Sequence, residues 1–250
     1  MLSPMAFAFT KYQTAGSLHW REMTSKSLLT FNAHQQARYL VALEALGDIR
    51  GKTVVDLGAG DGALTSLIAA RGARVIAVDN EAKGLALAKE NFERLGLSAE
   101  FVLGSVEDIP LADGCADAVV SCDVIEHLDL REKHVQEAAR LLKKGGIAVI
   151  TTPYRICEMP APFHTHEFFP SELKALAIPY FGEVFVRETH HLFWFAFFNY
   201  RPKVLRGFHL GRAFINMMTL WFGCNPFLRD ASNRKKRDYF TQLSMRAVKA

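Results

Sequence analysis

Short apolar runs alternate with amphipathic segments through the middle of the chain. Runs rich in β-branched residues predict five strands, at 52–57, 74–79, 100–103, 116–121 and 147–152. Segments with helical spacing lie between them and predict helices at 63–71, 81–95 and 131–142. This alternation predicts right-handed crossovers and a parallel sheet with helices on both faces. Ligands of such sheets bind at the carboxyl ends of the strands.

Both flanks of this middle region differ from it. Residues 1–50 are predicted to form a helical cover, with an amphipathic helix at 35–46. After the core at 51–191, which includes a helix at 170–177 and a strand at 184–188, residues 192–236 are aromatic and apolar with interspersed arginines. We interpret them as an insertion before a final core strand within 237–250, at 239–248.

Composition sets limits on the class of protein. The chain has 250 residues, half of them apolar and 22% charged, which fits a packed globular domain. Apolar stretches are too short for a membrane-spanning helix, and the first residues do not resemble a signal peptide. The four cysteines form no CxxC pair, so we expect a reduced, cytoplasmic protein.

Charge is distributed unevenly along the chain. Residues 201–250 hold 11 basic and 2 acidic side chains, whereas residues 1–200 hold 19 basic and 24 acidic ones. An acidic body with a basic end favours an anionic partner, although a solvated basic surface explains the charge equally well.

A glycine-rich turn follows the first predicted strand, in the sequence VVDLGAGDG from Val54 to Gly62. Glycines at this point let the backbone turn tightly and approach a ligand closely. Asp56 lies two residues before the first glycine, where it can meet a ligand ammonium group. Asp79 ends the second strand, where a carboxylate can accept hydrogen bonds from both hydroxyls of a ribose. The GxGxG spacing fits poorly with the GxGxxG turn of nicotinamide-dependent enzymes.

These motifs, in this order, resemble those of class I S-adenosylmethionine-dependent methyltransferases. The matching segments, within about residues 35–180, are VVDLGAGDG, VIAVDN, GSVEDIPLADG, AVVSCDVIEHL and LLKKGGIAVITTP. The resemblance implies a Rossmann-like α/β sandwich with a mostly parallel seven-stranded sheet, and S-adenosylmethionine as cofactor. It also implies that residues of the same motifs contact the cofactor. The methionine part would be held by Asp56, Gly58, Ala59, Gly60 and Gly62. The ribose would be held by Asp79 and Asn80, and the adenine by Val106 and Glu107, with Cys122 beside them. Many relatives have Asp where this chain has Ser105. The contact of that Asp with the adenine amino group would be made by Glu107 in this chain.

Within that class, the chain resembles the ubiquinone-biosynthesis O-methyltransferases and the small-RNA terminal 2′-O-methyltransferases. Arg38 matches an arginine that pairs with the cofactor carboxylate in the ubiquinone branch, and a surface arginine is the alternative. In both groups, segments similar to DVIEH and HTHEF look like divalent-metal ligands near the acceptor hydroxyl, although Glu-His after the fourth strand is also common in class I methyltransferases that need no metal. The resemblance therefore implies a Mg²⁺, Mn²⁺ or Zn²⁺ site with the ligands Asp123, Glu126, His127 and His166.

The catalytic base depends on that metal. If none binds, His127 or His166 is the candidate base, and His190 and His191 are expected to be structural. The leading function is methyl transfer to an oxygen of a small-molecule or lipid-like substrate. The alternatives are metal-assisted 2′-O-methylation of an RNA end and a non-catalytic cofactor-binding or membrane-interaction protein. Residues 192–236 are expected to contact the acceptor or a membrane surface, and no recognised RNA-binding module favours nucleic acid.

Overall fold

The computed structural model describes residues 11–156, 164–201, 209–228 and 239–250. Seven strands form one sheet in the order β3-β2-β1-β4-β5-β7-β6. Their bounds are β1 Thr53–Leu57, β2 Arg74–Asp79, β3 Glu100–Leu103, β4 Ala116–Cys122, β5 Leu142–Pro153, β6 Glu183–His191 and β7 Phe240–Val248. The strands β1 to β5 pair in parallel, and β7 runs antiparallel between β5 and β6. The predicted Rossmann-like, mostly parallel sheet is confirmed.

Nine α-helices lie within the described residues. Their bounds are α1 Lys11–Ala15, α2 Leu18–Thr24, α3 Ala33–Leu46, α4 Ala63–Ala69, α5 Ala82–Leu95, α6 Arg131–Leu141, α7 Pro170–Ala177, α8 Leu192–Phe198 and α9 Leu210–Phe222. Short 3₁₀ turns occur at Ile125–His127 and Pro226–Leu228. The parts of the predicted cover at 1–10 and of the predicted insertion at 202–208 and 229–236 lie outside the described residues.

Alternation along each central strand divides the core into two layers. Val54 packs with Tyr39 and Leu43 of α3 and with α4, whereas its neighbour Val55 packs with Val135 of α6 and with α7. Successive strand residues point to opposite faces, so a run of apolar residues serves both layers at once. The sheet is therefore covered on both faces, as the continuous apolar runs predicted.

A third apolar cluster attaches the helices between β6 and β7 to the rest of the domain. Phe198 of α8, Ile215 of α9 and Phe227 are buried against Phe31 and Ala37 at the beginning of α3. One side of α8 and α9 is therefore core, and the other side remains at the surface.

The observed elements extend beyond some predicted bounds. Strand β5 begins at Leu142, so Gly145 and Gly146, which were expected to lie between a helix and a strand, are inside the strand. The N–H of Gly145, with a φ of 74°, donates to the carbonyl of Lys249, which follows β7. Pairing with the antiparallel neighbour thus extends the strand through the glycines.

Candidate active site

The turn between β1 and α4 is built from glycines in left-handed backbone. Gly58 and Gly60 have φ angles of 77° and 54°, which residues with a Cβ rarely adopt. The N–H groups of Gly58 and Ala59 donate to the carbonyl of Val78 at 2.8 and 3.1 Å, which ties the turn to β2. A Cβ on Gly58 would collide with Val124. The turn therefore presents bare backbone at the carboxyl end of β1.

Asp79 holds this turn from the end of β2. Its Oδ2 accepts the N–H of Gly60 and its Oδ1 accepts the N–H of Glu81, both at 2.8 Å. Burial raises the pKa of Asp79, and the backbone donors act in the opposite direction. Each carboxylate oxygen has a second lone pair, so Asp79 can accept further hydrogen bonds from ligand hydroxyls. The exposed Asn80 follows it in the chain.

Asp56 is buried at the end of β1, beneath the turn. Its Oδ2 accepts the hydroxyl of Thr65 on α4 at 2.7 Å. Burial raises the pKa of Asp56 to about 7. The hydrogen bond from Thr65 acts in the opposite direction, and the charge of Asp79 adds to the rise. A cationic ligand group beside Asp56 would lower that pKa, because it favours the ionised carboxylate.

Helices α1 and α2 lie over the glycine turn. The Tyr12 hydroxyl occupies the space that a Cβ on Gly60 would need, and the Tyr12 N–H donates to Oε1 of Glu81 at 3.2 Å. The N–H of Trp20 donates to Oδ2 of Asp61 at 2.9 Å. Burial, followed by the charge of Asp61, raises the pKa of Tyr12, so the phenol stays protonated. An aromatic side chain thus covers the bare backbone of the turn.

A buried histidine positions the loop after β3. Nδ1 of His134 donates to the carbonyl of Val106 at 3.1 Å, and its Nε2 accepts the Ser121 hydroxyl at 3.0 Å. Burial lowers the pKa of His134 to about 4, so the ring is neutral. On the same loop, Oε1 of Glu107 accepts the N–H of Leu130 at 3.0 Å. Val106, a predicted adenine contact, is therefore fixed by contacts within the domain.

Arg38 has a protein partner. Its Nη1 lies 2.7 Å from Oδ2 of Asp123, directly after β4, and it also donates to Gln35. Asp123 has a φ of 55°, a left-handed conformation that directs the chain away from the strand. Beside it, the Cys122 thiol accepts the Thr151 hydroxyl at 3.0 Å, and burial raises the pKa of Cys122. The carboxylate that Arg38 binds here belongs to the chain itself, and its contact with a cofactor carboxylate stays a prediction.

Three side chains that can bind a metal converge beside this ion pair. Atoms of Glu126, His127 and His164 all lie within 4.8 Å of one another, and the two histidine ring centres are 5.1 Å apart. Glu126 is buried and accepts the Thr152 hydroxyl at 3.1 Å. Burial, with the charge of Asp123 next, raises the pKa of Glu126 well above its usual range. The cluster can bind a proton or a cation.

This cluster differs from the predicted metal ligands Asp123, Glu126, His127 and His166. Asp123 pairs with Arg38, and His166 packs against Phe168 with its Nε2 3.7 Å from Glu172. His164 takes the expected place of His166. The reason is a bend at Thr165, whose N–H and hydroxyl both donate to the Glu126 carbonyl, at 2.7 and 3.0 Å. The bend sends the two neighbouring histidines in different directions.

A second group of buried polar side chains lies between α3 and β6. The ring centres of His34 and His190 are 5.1 Å apart, and the Nε2 atoms of both are buried without a hydrogen-bond partner among the described residues. His190 has a φ of 62°, unusual for a residue with a Cβ. Burial lowers the pKa of His190 to about 3, and the charge of Arg38 adds to that effect. Both rings are neutral and can donate or accept a hydrogen bond.

Strand β7 contributes to the same layer. Oε1 of Gln242 and Oγ of Ser244 are also buried without a partner in the described structure. They lie on the face of β7 toward α3, because Arg246, two residues further, donates to the carbonyl of Ala45 at 3.2 Å. Buried polar atoms without a partner each cost about 1–3 kcal/mol, so these four atoms need partners such as ordered water or a polar ligand. We refer to His34, His190, Gln242 and Ser244 as the polar layer.

Comparison with known proteins relates part of this chain to methyltransferases. Residues 55–150 match the family model described as "Methyltransferase domain". A probable S-adenosylmethionine-dependent methyltransferase of Mycobacterium tuberculosis is 35% identical over 133 residues, which cover 51% of this chain and 47% of that protein. A ubiquinone biosynthesis O-methyltransferase of Nitrosomonas europaea is 31% identical over 152 residues, which cover 54% of this chain and 65% of the relative.

The match to the methyltransferase domain model covers 96 of the 250 residues, from β1 into β5. Phosphoethanolamine N-methyltransferase 2 of Haemonchus contortus, solved with S-adenosyl-L-methionine, has the same fold, with a TM-score of 0.66 and 18% identity over 96% of this chain and 59% of that one. The YcgJ protein of Bacillus subtilis has a TM-score of 0.57 and 18% identity, over 86% of this chain and 99% of its own. The chain spans about half the length of the first curated relatives it matches.

Sequence reasoning missed several residues of this candidate site. Tyr12 and Trp20 lie in the predicted helical cover, but no motif marks them as contacts of the glycine turn. His164 lies in the quoted HTHEF segment, where the alternation of two histidines was the only signal. His190 was expected to be structural, and its left-handed backbone and its orphan Nε2 become visible only in three dimensions.

Proposed function

We propose that this chain transfers the methyl group of S-adenosylmethionine to an oxygen atom of a small or lipid-like acceptor. The observation that carries the proposal is that two groups of polar residues lie at the carboxyl ends of the strands. The glycine turn and Asp79 form one site, the polar layer forms the other, and the Arg38–Asp123 ion pair lies between α3 and β4. Names of relatives that are ubiquinone biosynthesis O-methyltransferases support oxygen as the acceptor atom.

The residues at the glycine turn suit S-adenosylmethionine. Gly58 and Gly60 form a tight turn in left-handed backbone, with Val124 and Tyr12 packed where a Cβ would lie. Asp79 has free lone pairs for ribose hydroxyls, and Asp56 would ionise beside an ammonium group. The bound cofactor supplies a methyl group on a sulfonium, which leaves as a neutral thioether. The protein therefore has to orient the acceptor, exclude water and remove one proton.

His127 is the proposed proton acceptor. It lies beside the buried carboxyl group of Glu126, with ligand atoms of the two side chains within 4.8 Å, so this group can orient the imidazole. His166, the other candidate from the sequence, is directed toward Glu172 and Phe168. Of the two, His127 is closer to the end of β4, where the cofactor and acceptor sites are expected to meet.

The polar layer is the proposed binding place for the polar part of the acceptor. Phe195 and Phe227 lie around His34, with ring centres 5.1 and 4.9 Å from the imidazole. Burial lowers the pKa of His190, and the charges of Arg38 and Arg187 add to that effect. An acceptor with an apolar or aromatic body and hydroxyl or carboxylate groups suits this combination.

Metal-assisted deprotonation is a second candidate, because the cluster of Glu126, His127 and His164 favours it. One carboxylate and two imidazoles are a common ligand set for Zn²⁺ or Mn²⁺. A cation held there would lower the pKa of a hydroxyl bound beside it. This candidate includes 2′-O-methylation of an RNA end, since the 2′-hydroxyl has a high pKa and needs such activation.

Release of S-adenosylhomocysteine tests the proposal. The purified chain is mixed with S-adenosylmethionine and, in separate reactions, a dihydroxybenzoate, a long-chain hydroxyphenol and a short RNA. We expect turnover with a phenolic acceptor, and a decrease of at least about 100-fold in kcat for His127→Ala, the usual range for a lost general base. His166→Ala is the matched control and should retain turnover. Turnover with RNA alone would favour the second candidate. Cofactor binding without turnover on any acceptor would support a non-catalytic binding protein.

A further inference from the structure

Helix α9 has one face whose orientation is fixed by polar contacts. Asn216 is buried, its Nδ2 donates to the carbonyls of Leu28 and Phe31, and its Oδ1 accepts the N–H of Ala33. Nη2 of Arg212 lies 3.0 Å from Oε1 of Glu22. These contacts prevent the helix from rotating about its axis. The opposite face is therefore held at the surface.

That opposite face is apolar throughout. Leu210, Phe214 and Trp221 share it, at intervals of four and seven residues, and they are 44%, 46% and 65% exposed. Met217 and Met218 lie between them and are half-buried, and Phe222 at the end of the helix is 72% exposed. The helix carries a single charged residue, Arg212, which is the one paired with Glu22.

Helix α8 extends the same apolar surface. The rings of Phe214 and Phe197 are 5.9 Å apart, those of Phe197 and Trp194 are 6.5 Å apart, and those of Trp194 and Phe193 are 5.1 Å apart. Phe193, at the end of this series, is largely exposed. We refer to Phe193, Leu210, Phe214, Trp221 and Phe222 as the aromatic face. Soluble monomers rarely expose a contiguous apolar surface of this kind without a binding role.

Charge decides which partner this surface fits. Residues 192–239, which hold α8, α9 and the segments that join them to the strands, contain nine basic and two acidic side chains. Residues 1–191 are acidic in balance, with 19 basic and 24 acidic side chains. A second copy of this chain would carry the same positive balance in this part of the sequence, whereas an anionic lipid surface is complementary to it. Helices with Trp and Phe, in a part of the sequence that is rich in Arg and Lys, are typical of proteins that bind such surfaces.

Length agrees with a helix on the surface of a bilayer. Helix α9 has 13 residues and is about 20 Å long, shorter than the hydrocarbon core of a bilayer at about 30 Å. Among the described helices, none has the length and apolar character to cross a bilayer. We propose that the aromatic face docks on an anionic membrane surface, with α9 in the plane of the interface. This proposal is independent of methyl transfer.

Vesicle flotation tests the proposal. The full chain is mixed with vesicles of phosphatidylcholine alone, or of phosphatidylcholine and phosphatidylglycerol at three to one. We expect binding to the anionic vesicles that weakens, but does not vanish, as salt rises, because salt screens charge and leaves apolar contacts intact. Trp221→Ser and Phe214→Ser should each raise the Kd for anionic vesicles about tenfold, which is the effect expected when part of the burial of one aromatic side chain is lost. Phe185→Ser is the matched control, since Phe185 is an exposed aromatic residue on edge strand β6.

The outcomes separate the possible occupants of the aromatic face. Unchanged melting temperatures in both α9 variants, together with lost flotation, support docking on lipid. No binding to either type of vesicle would overturn the proposal. Equal binding by wild type, Trp221→Ser and Phe214→Ser would also overturn it, because the aromatic face would not be the contact. If wild type is dimeric in sedimentation and Trp221→Ser is monomeric, the face belongs to a second copy and the proposal fails.

Discussion

The N–H of Gly60 donates to Oδ2 of Asp79 at 2.8 Å. This hydrogen bond joins the glycine turn after β1 to the acid at the end of β2. It therefore makes the two most recognisable motifs of the sequence a single structural unit. The same carboxylate also holds the N–H of Glu81 at the beginning of α5, so three elements meet at one side chain.

Replacement of Asp79 tests this unit. Asp79→Ala removes the partner of two backbone N–H groups and the expected acceptor of the ribose hydroxyls. We expect affinity for S-adenosylmethionine to fall by about 1–3 kcal/mol, the range for lost hydrogen bonds to a charged group. Titration calorimetry measures the effect, with Asp108→Ala at an exposed loop position as the control. Equal affinity of wild type and Asp79→Ala would remove Asp79 from the cofactor site.

Tyr12 is expected to slow the release of the cofactor. Its ring covers Gly60, so removing the ring opens a path out of the glycine turn. Tyr12→Ala should raise the dissociation rate constant of S-adenosylhomocysteine about tenfold, since most affinity changes appear in dissociation. Tyr12→Phe keeps the ring and should behave like wild type. Stopped-flow fluorescence distinguishes the two variants, and identical rates in wild type and Tyr12→Ala would show that α1 does not cover the bound cofactor.

The cluster of Glu126, His127 and His164 gives a test for a metal. If a divalent ion assists the reaction, excess chelator should abolish turnover and Mn²⁺ or Zn²⁺ should restore it. His164→Ala should then reproduce the effect of the chelator, and His166→Ala should not, because His166 is directed toward Glu172. Elemental analysis of the purified protein gives a second readout. Full turnover in excess chelator would leave His127 as a base that works without a metal.

Acid should destabilise the domain through His134. Its pKa is about 4 in the folded state, below the usual value of 6.5, because of burial. The unfolded chain therefore binds more protons than the folded chain between these pH values. With respect to His134, the free energy of unfolding is at its full value above pH 6.5 and declines as the pH falls toward 4. One such group accounts for about 3 kcal/mol.

Urea unfolding at pH 5 and pH 7.5 measures this contribution. His134→Gln should be less stable than wild type at pH 7.5 but should lose less stability on acidification. The same substitution at the half-buried His191 serves as the control. A pH dependence of His134→Gln that equals that of wild type would show that other groups cause the acid effect.

The central sheet could be predicted because its strands are buried on both faces. Val54 and Val55 pack into opposite layers, so burial demands an unbroken apolar run, and that run is visible in the sequence. The glycine turn and Asp79 could also be predicted from the sequence, because local backbone geometry restricts those positions to particular residue types.

Contacts between distant segments could not be predicted in the same way. The sequence did not reveal that the bend at Thr165 would place His164, and not His166, beside Glu126. Tyr12 reaches Gly60 from a helix 48 positions earlier in the chain, and no local pattern specifies that approach. His190 adopts a left-handed conformation that its residue type does not favour, so only the tertiary structure explains it.

Titration calorimetry with S-adenosylhomocysteine tests the proposed cofactor site, because the glycine turn, Asp56 and Asp79 should bind this product even when the acceptor is unknown. We expect saturable binding of one molecule per chain, and no binding by Gly60→Val, whose side chain would meet Tyr12 and occupy the turn. The absence of binding to folded wild-type protein, or normal binding by a folded Gly60→Val variant, would contradict the proposed site.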